Sequence, residues 1–173
     1  NFTDAVSGSK QIKMLGLTSP YILITTENIP SIRGPAHAYG LSFIPGTWIE
    51  SIQITKGAGS VINSFESISG QINSELQKPI NDYPIFLNTY TSSMGRYEFN
   101  SHLNKIFNKN FSTGVYFHAD SSKEKYDKNS DGFLDKPISD QINVLNRWQY
   151  TNSEKGLVAF LNIKFLDANS QSG

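Results

Sequence analysis

The chain has 173 residues, which is enough for one hydrophobic core or two small units. Fifteen Lys and Arg residues balance fifteen Asp and Glu residues, so no basic field favours a nucleic-acid partner. The absence of cysteine excludes a disulfide framework, a zinc-thiolate site and a cysteine nucleophile.

The two ends of the sequence carry no targeting segment. The chain begins at Asn1 without a Met or a charged-then-apolar leader, and it stops in the polar run DANSQSG. We therefore expect a piece of a longer protein, cut at both ends.

Residues 1–80 combine short apolar runs with glycine and proline, and they predict a compact α+β unit. Tyr21–Thr25 is partly β-branched and predicts a buried strand. Ile49, Ile52 and Ile54 alternate with polar residues and predict a half-buried strand with one irregularity. Trp48–Ser51 is expected to form a helical turn after Pro45, and a tight turn is expected at Gly57 and Gly59.

Residues 81–173 follow a different pattern, with five segments of roughly 8–11 residues that alternate apolar and polar positions. The segments lie around 85–91, 97–104, 115–120, 142–150 and 157–165. In the second, Tyr97, Phe99 and Leu103 share one face, and Glu98, Asn100 and His102 share the other.

The connections between these segments alternate in length, as the strands of an outer-membrane β-barrel require. Residues 108–110 and 152–156 are short turns, whereas residues 121–137 form a long polar loop. An ordinary soluble sheet packed on one face produces the same alternation. However, five strands without closure leave two open edges and an unsupported apolar face, which favours the start of a transmembrane β-barrel.

The stretch from Ile44 to Asn73 resembles the end of the plug domain of TonB-dependent outer-membrane receptors. The positions that match the family pattern, in order, are Pro45, Ile49, Glu50, Ile52, Ile54, Lys56, Gly57, Ser60, Gly70, Ile72 and Asn73. The chain departs from the pattern at Ala58, Ser64-Phe65 and Ser69. These departures affect residues of expected turns and leave the hydrophobic positions of the pattern unchanged. Upstream, YILITTENIP looks like the family's plug strand and turn. The segments QIKMLGL and TENIPSIRGPAHAYGL look like a subgroup of these receptors that is common in Bacteroidetes.

The resemblance implies a domain division and a function. Residues 1–80 would be a truncated plug domain, and residues 81–173 would begin the barrel. The implied function is active uptake of a scarce nutrient, such as a siderophore, cobalamin, metal chelate or oligosaccharide, across the bacterial outer membrane. Its partners would be outer-membrane lipid, the small-molecule substrate and TonB, which binds a Ton box outside this chain.

Three residues of the SIRGPAHAYG segment are candidate ligand contacts on the resemblance to an apical plug loop. Arg33, His37 and Tyr39 combine a cation, an imidazole and an aromatic ring, which suits an anionic or metal-chelate ligand. Alternatively, Arg33 pairs with a barrel carboxylate. Within the plug motif, Glu50 and Lys56 are expected to serve the plug–barrel interface, and Gly57 and Gly59 are expected to allow a tight turn. Gly70 is a further position of the motif.

The long loop contains a partial calcium-binding pattern. Its candidate ligands are Asp127, Asn129, Asp131, the carbonyl of Phe133 and Asp135, with Gly132 at the sixth position. The twelfth position is Ile138 where a bidentate Glu belongs, and Asp140 is a possible substitute. A polar surface loop is the alternative, and no other cofactor is expected.

No arrangement of residues predicts catalysis. The sequence has no HExxH motif, and the glycine turn KGAGS lacks the Lys-Ser/Thr of a phosphate-binding loop. His102 and His118 lie on the polar faces of neighbouring segments and are expected to be solvated rather than metal-bound. The protein is therefore predicted not to be an enzyme, and the competing function is a non-transporting, calcium-stiffened, β-rich surface binding module.

Overall fold

The computed structural model describes residues 2–3, 10–31, 33–34, 37, 40–59, 66–125, 127–128, 130, 132 and 134–171. The chain separates into two compact units, residues 1–76 and 77–173. Each unit is built around its own β-sheet. No helix in the described ranges is long and apolar enough to cross a membrane.

The first unit contains a mixed four-stranded sheet and a small two-stranded ribbon. The ribbon pairs β1 (Phe2–Thr3) with β2 (Lys10–Gln11). The sheet has the order β4-β3-β6-β5 and consists of β3 (Ile22–Thr26), β4 (Ile29–Pro30), β5 (Ile49–Lys56) and β6 (Gly70–Leu76). Strand β6 runs parallel to β3 and antiparallel to β5.

The core of the first unit follows from the position of β3 and β6 in the middle of the sheet. A strand covered on both faces is buried along nearly its whole length, as β6 and residues 22–25 of β3 are. Ile22 and Ile72 form a buried cluster with Met14, and Ile12 packs against it. Burial of these branched side chains is the main favourable term that holds this small unit together.

The predicted α+β class is wrong. The described part of the chain is nearly all β and contains no α-helix, only short 3-10 turns at Ser19–Tyr21, Gly40–Phe43 and Gly46–Trp48. The expected helical turn at Trp48–Ser51 is also wrong, because the 3-10 turn ends at Trp48 and β5 begins at Ile49.

The residues after Pro45 explain this difference. Pro45 starts a turn, and its carbonyl accepts the N–H of Trp48 at 3.0 Å. The β-branched residues that follow favour an extended backbone, and they pair with β6 instead of continuing a helix. The predicted irregularity is confirmed as a register shift between Ile49 and Ser51, but β5 is largely exposed rather than half-buried.

The second unit is one antiparallel sheet in the order β11-β10-β9-β8-β7. Its strands are β7 (Ile85–Thr91), β8 (Arg96–Asn108), β9 (Phe111–Ser122), β10 (Ile138–Asn152) and β11 (Leu157–Gln171). The five predicted strands are confirmed, but β8 to β11 have 12 to 15 residues and are longer than expected. Short turns follow β8 and β10 at one end of the sheet, and the long connection follows β9 at the other.

Candidate functional site

The five-stranded sheet presents one apolar face, and its register shows how that face is assembled. Cross-strand partners place Ile85, Leu103, Val115, Asn146 and Ile163 in one row, and the next row continues through Leu87, Ser101, Phe117, Val144 and Phe165. These large side chains are unusually exposed, with Ile85 at 66%, Leu87 at 65%, Ile163 at 60% and Phe165 at 61%. We call the surface formed by these two rows and their neighbours on the same side the apolar face.

The height of the apolar face is limited by charge at one end and by aromatic rings at the other. On β10 it runs from Asp140 to Tyr150, and on the neighbouring β11 Asp167 lies opposite Ile142. Ten residue steps at ~3.3 Å give ~33 Å along the strand. A strand of this length tilted by about 40° would span ~25 Å, which is the height of the apolar band in transmembrane β-sheets.

Three aromatic rings cluster beside the two-residue turn between β8 and β9. The rings of Phe107 and Phe111 are 5.6 Å apart, and Trp148 lies 5.6 Å from Phe111 and 6.2 Å from Phe107. Phe107 reaches this side because the β8–β9 register shifts between Ile106 and Asn108. Trp148 is the ring of this cluster that carries a polar N–H, and aromatic side chains that combine apolar area with such a group suit a boundary between lipid and water.

Polar side chains within the apolar face bond to each other or to the backbone. The indole N–H of Trp148 donates to Asn146 Oδ1 at 2.6 Å, and Asn146 Nδ2 donates to the Gly114 carbonyl at 3.2 Å. Thr113 Oγ1 donates to the Arg147 carbonyl at 3.0 Å. Internal pairing of this kind is what a solvent without hydrogen-bonding capacity requires.

The opposite, polar face carries a network of charged and amide groups on β8 and β9. Arg96 Nη2 donates to Glu98 Oε2 at 3.1 Å and lies 3.8 Å from Asp120 Oδ2. His118 bridges two partners, with Nδ1 2.7 Å from Asn100 Oδ1 and Nε2 3.0 Å from Asp120 Oδ2. Ion pairs and side-chain amide hydrogen bonds of this kind fix the orientation of the side chains without an apolar core.

A second polar group on this face centres on Asp82. His102 Nδ1 lies 2.8 Å from Asp82 Oδ2, and Asn104 Nδ2 donates to the same oxygen at 2.9 Å. The His102 ring lies between Phe86 and Tyr116, with centroids at 4.6 and 4.7 Å. His102 and His118 therefore have separate carboxylate partners, and no three His, Asp or Glu side chains in the described residues are placed to hold a metal.

Within the resemblance segment, Asn73 has a structural role in the first unit. Its Oδ1 accepts Thr25 Oγ1 at 2.9 Å and the Asn28 N–H at 2.8 Å, and its Nδ2 donates to Glu75 Oε1 at 2.8 Å. The Asn28 bond stabilises the two-residue turn between β3 and β4, where Glu27 and Asn28 both have left-handed φ values of 54° and 63°. Glu27-Asn28 thus adopts a turn that Asp-Gly sequences favour.

Three glycines of the same segment occupy positions where the backbone turns or where a neighbouring group approaches closely. Gly57 has a φ of 90° and its N–H donates to the Ser69 carbonyl at 2.9 Å. A Cβ on Gly59 would lie 2.5 Å from Ser67 Oγ, and one on Gly70 would meet Met14 Sδ and lie 2.7 Å from the Thr55 carbonyl. These contacts require a residue without a side chain.

The remaining polar members of the segment lie along β5. Glu50 is the residue at the β5 register shift, and Lys56 pairs with Gly70 in the β5–β6 ladder. Both are exposed on the sheet edge. Their expected role at a plug–barrel interface stays a prediction, and Pro45 is buried at the start of the preceding turn.

The structure describes two of the three candidate ligand contacts. Arg33 is exposed, and its Nε donates to Glu66 Oε2 at 3.1 Å within the same unit. His37 is half-buried, and Tyr39 lies outside the described residues. Their ligand contact stays a prediction.

The predicted calcium loop is described only in part. Asn129, Asp131 and Phe133 lie outside the described residues. Asp127 Oδ2 accepts the Gly132 N–H at 3.1 Å, and Asp135 Oδ2 accepts the Lys128 N–H at 2.8 Å. Gly132 has a φ of 87°, the sharp turn that the sixth position of a calcium loop requires.

Two features of the second unit were missed by sequence reasoning. Asp82 was missed because nothing in its local sequence shows that residues 20 and 22 positions later are its partners. The Phe107–Phe111–Trp148 cluster was missed because Phe107 breaks the alternation of β8. Aromatic residues on both sides of the turn were the signal that was available.

No protein-family model matches the chain, and no curated protein matches it either.

Proposed function

We propose that the chain is part of a TonB-dependent receptor in a bacterial outer membrane, which takes up a scarce nutrient. The five-stranded sheet would form part of the membrane wall, and the nearly all-β first unit would belong to the domain that closes the pore. The observation that carries this proposal is the exposed apolar face, about as high as the hydrocarbon layer and limited by charges at one end and aromatic rings at the other.

The two faces of the sheet support this proposal together. A sheet of a soluble protein buries its apolar face and exposes its polar one. In this sheet most of the large apolar residues are exposed, whereas the opposite face buries Asn100, His102, His118 and Asn143 together with Tyr116 and Leu145. That inversion suits a sheet with lipid on one side and a polar interior on the other.

Polar contacts also suit the transport step. Hydrogen bonds exchange with water at a net difference of only ~1 kcal/mol each, so a polar interior is opened at modest cost when a partner applies force. The resemblance of Ile44–Asn73 to receptor plugs supplies the receptor class, and TonB is the expected energy-coupling partner through a Ton box outside this chain.

The competing function, a calcium-stiffened surface binding module, is supported by one observation. The Asp127–Gly132 bond and the left-handed Gly132 form the turn on which a calcium loop depends. This candidate does not account for the exposed apolar face, so it ranks second.

Energy-coupled uptake by the full-length protein tests the proposed function. Cells with and without the gene would be grown on limiting iron chelate, cobalamin or oligosaccharide, each with intact and with disrupted TonB. We expect the gene to give a growth advantage on at least one of these nutrients only when TonB is intact. An advantage that survives loss of TonB, or no advantage on any nutrient class, would contradict the proposal.

A further inference from the structure

Residues Gln77–Pro84, which we call the strap, lie immediately before β7 and belong to the second unit. The strap crosses the polar side of β8 and β9. Tyr116 on β9 donates its hydroxyl to the Gln77 carbonyl at 3.2 Å, and the Asn104 N–H on β8 donates to the Pro84 carbonyl at 2.8 Å. Both ends of the strap are therefore tied to the sheet.

The centre of the strap packs against Gly114 of β9. Pro79 is fully buried, and a Cβ built on Gly114 would lie 3.2 Å from Pro79 Cγ and 2.8 Å from Tyr116 Cε2, and would also meet Asn104 Oδ1. Any larger residue at 114 would occupy the space that Pro79 and its neighbours use. The absence of a side chain at position 114 therefore leaves the space in which Pro79 of the strap packs.

Asp82 connects the strap to β8 through one carboxylate oxygen, Oδ2, while the other oxygen forms a hydrogen bond within the strap. Oδ2 accepts from Asn104 Nδ2 and lies 2.8 Å from His102 Nδ1, while Oδ1 accepts the Tyr83 N–H at 2.8 Å. The side chains of Asp82 and His102 are 6% and 2% exposed. Hydrogen bonds to an ionised group in such surroundings are stronger than those between neutral groups.

His102 cannot move away from Asp82 easily. Its ring is held between Phe86 on β7 and Tyr116 on β9, so the imidazole is fixed from both sides by neighbouring strands. The bond therefore joins the strap to three strands of the sheet at one point.

We propose that the strap is a mechanical stop: when the preceding chain is pulled, unfolding proceeds as far as the strap and does not continue into β7. Proteins open locally in separate cooperative segments. Under a pull on the preceding chain, residues before Gln77 would extend first, and the Asp82–His102–Asn104 contacts would resist next. This inference rests on the proposed function, because TonB-driven force supplies the pull, and it identifies where that force stops.

Single-molecule force spectroscopy tests the stop on the full-length protein in a lipid bilayer, pulled from its N-terminus. We expect the wild-type record to show a resistance peak whose contour length ends at the strap. In Asp82→Ala, that peak should be lost and the extension should lengthen by about 27 Å, the length of eight extended residues. Asp120→Ala removes a carboxylate bonded to His118 on the same face, and this control should leave the peak unchanged.

The results separate the stop from the proposed function. An unchanged peak in Asp82→Ala, or an equal loss in Asp120→Ala, would overturn the stop, whether or not uptake depends on TonB. If Asp82→Ala abolishes the peak in a protein that shows no TonB-dependent uptake, the stop is kept and the proposed function is removed. If Asp82→Ala does not fold, Asp82→Asn should open the strap at lower force than wild type, and an unchanged force would overturn the stop.

Discussion

A single charge placed in the middle of the apolar face distinguishes a lipid-facing sheet from a water-facing one. Ile163 on β11 is 60% exposed, and its cross-strand partner Asn146 lies four steps from Tyr150 and six from Asp140. At ~3.3 Å per step and a tilt of about 40°, Ile163 lies ~10 Å from the aromatic end, close to the middle of the band. Arginine at the middle of the bilayer costs about 2–4 kcal/mol in such sheets.

Ile163→Arg should therefore lower the free energy of unfolding by about 2–4 kcal/mol. Leu157→Arg is the matched control, because Leu157 lies on the same strand and face but beside the short turn, where the expected cost is about 0–1 kcal/mol. The assay is denaturant unfolding of the full-length protein folded in phospholipid vesicles, with midpoints and slopes compared. Equal effects below about 0.5 kcal/mol, as at a water-exposed surface, would refute the reasoning.

Three further predictions concern the turns and the loop. Asn73→Ala should destabilise the protein by about 2–3 kcal/mol in thermal unfolding, because it leaves the Thr25 hydroxyl and the Asn28 N–H without their acceptor. Asn169→Ala, at an exposed position, is the control and should have almost no effect. Equal effects of the two substitutions would contradict the structural role of Asn73. Gly70→Ala should lower the free energy of unfolding by about 1–3 kcal/mol, because the added methyl group would contact Met14 and the Thr55 carbonyl. Gly46→Ala adds a methyl group in open space and should be nearly neutral. A neutral Gly70→Ala would count against the packing described. Calcium titrated into the wild-type protein should release or absorb heat that Asp127→Ala abolishes, and a wild-type protein without a heat signal would remove the calcium site.

The second unit was largely predictable because apolar and polar residues alternate along most of its strand positions. The sequence assigned Tyr97, Phe99 and Leu103 to one face and Glu98, Asn100 and His102 to the other, and the register confirms both sets. Alternation cannot locate strand ends, however. Residues 166–171 are mostly polar on both faces, so nothing in their hydropathy shows that β11 continues to Gln171.

The first unit was harder to predict because its strands are short and are paired over long distances. Strand β3 pairs with β6, which begins 44 residues after β3 ends, and this parallel pairing leaves no local pattern. The helical turn expected after Pro45 had weak local support, and pairing of β5 with β6 was the stronger influence. The tie from Asp82 to His102 and Asn104 was hidden for the same reason.

The most direct test of the central claim compares two adjacent residues on opposite faces of β10. These 173 residues contain no cysteine, so Val144→Cys and Asn143→Cys, each made in the full-length protein with any other cysteine replaced by serine, give a single site for a spin label in lipid vesicles. We predict that the label at 144 is relaxed mainly by dissolved oxygen, which concentrates in lipid, and that the label at 143 is protected from it. Similar, water-like accessibility at both positions would contradict a lipid-facing sheet, and with it the proposed receptor.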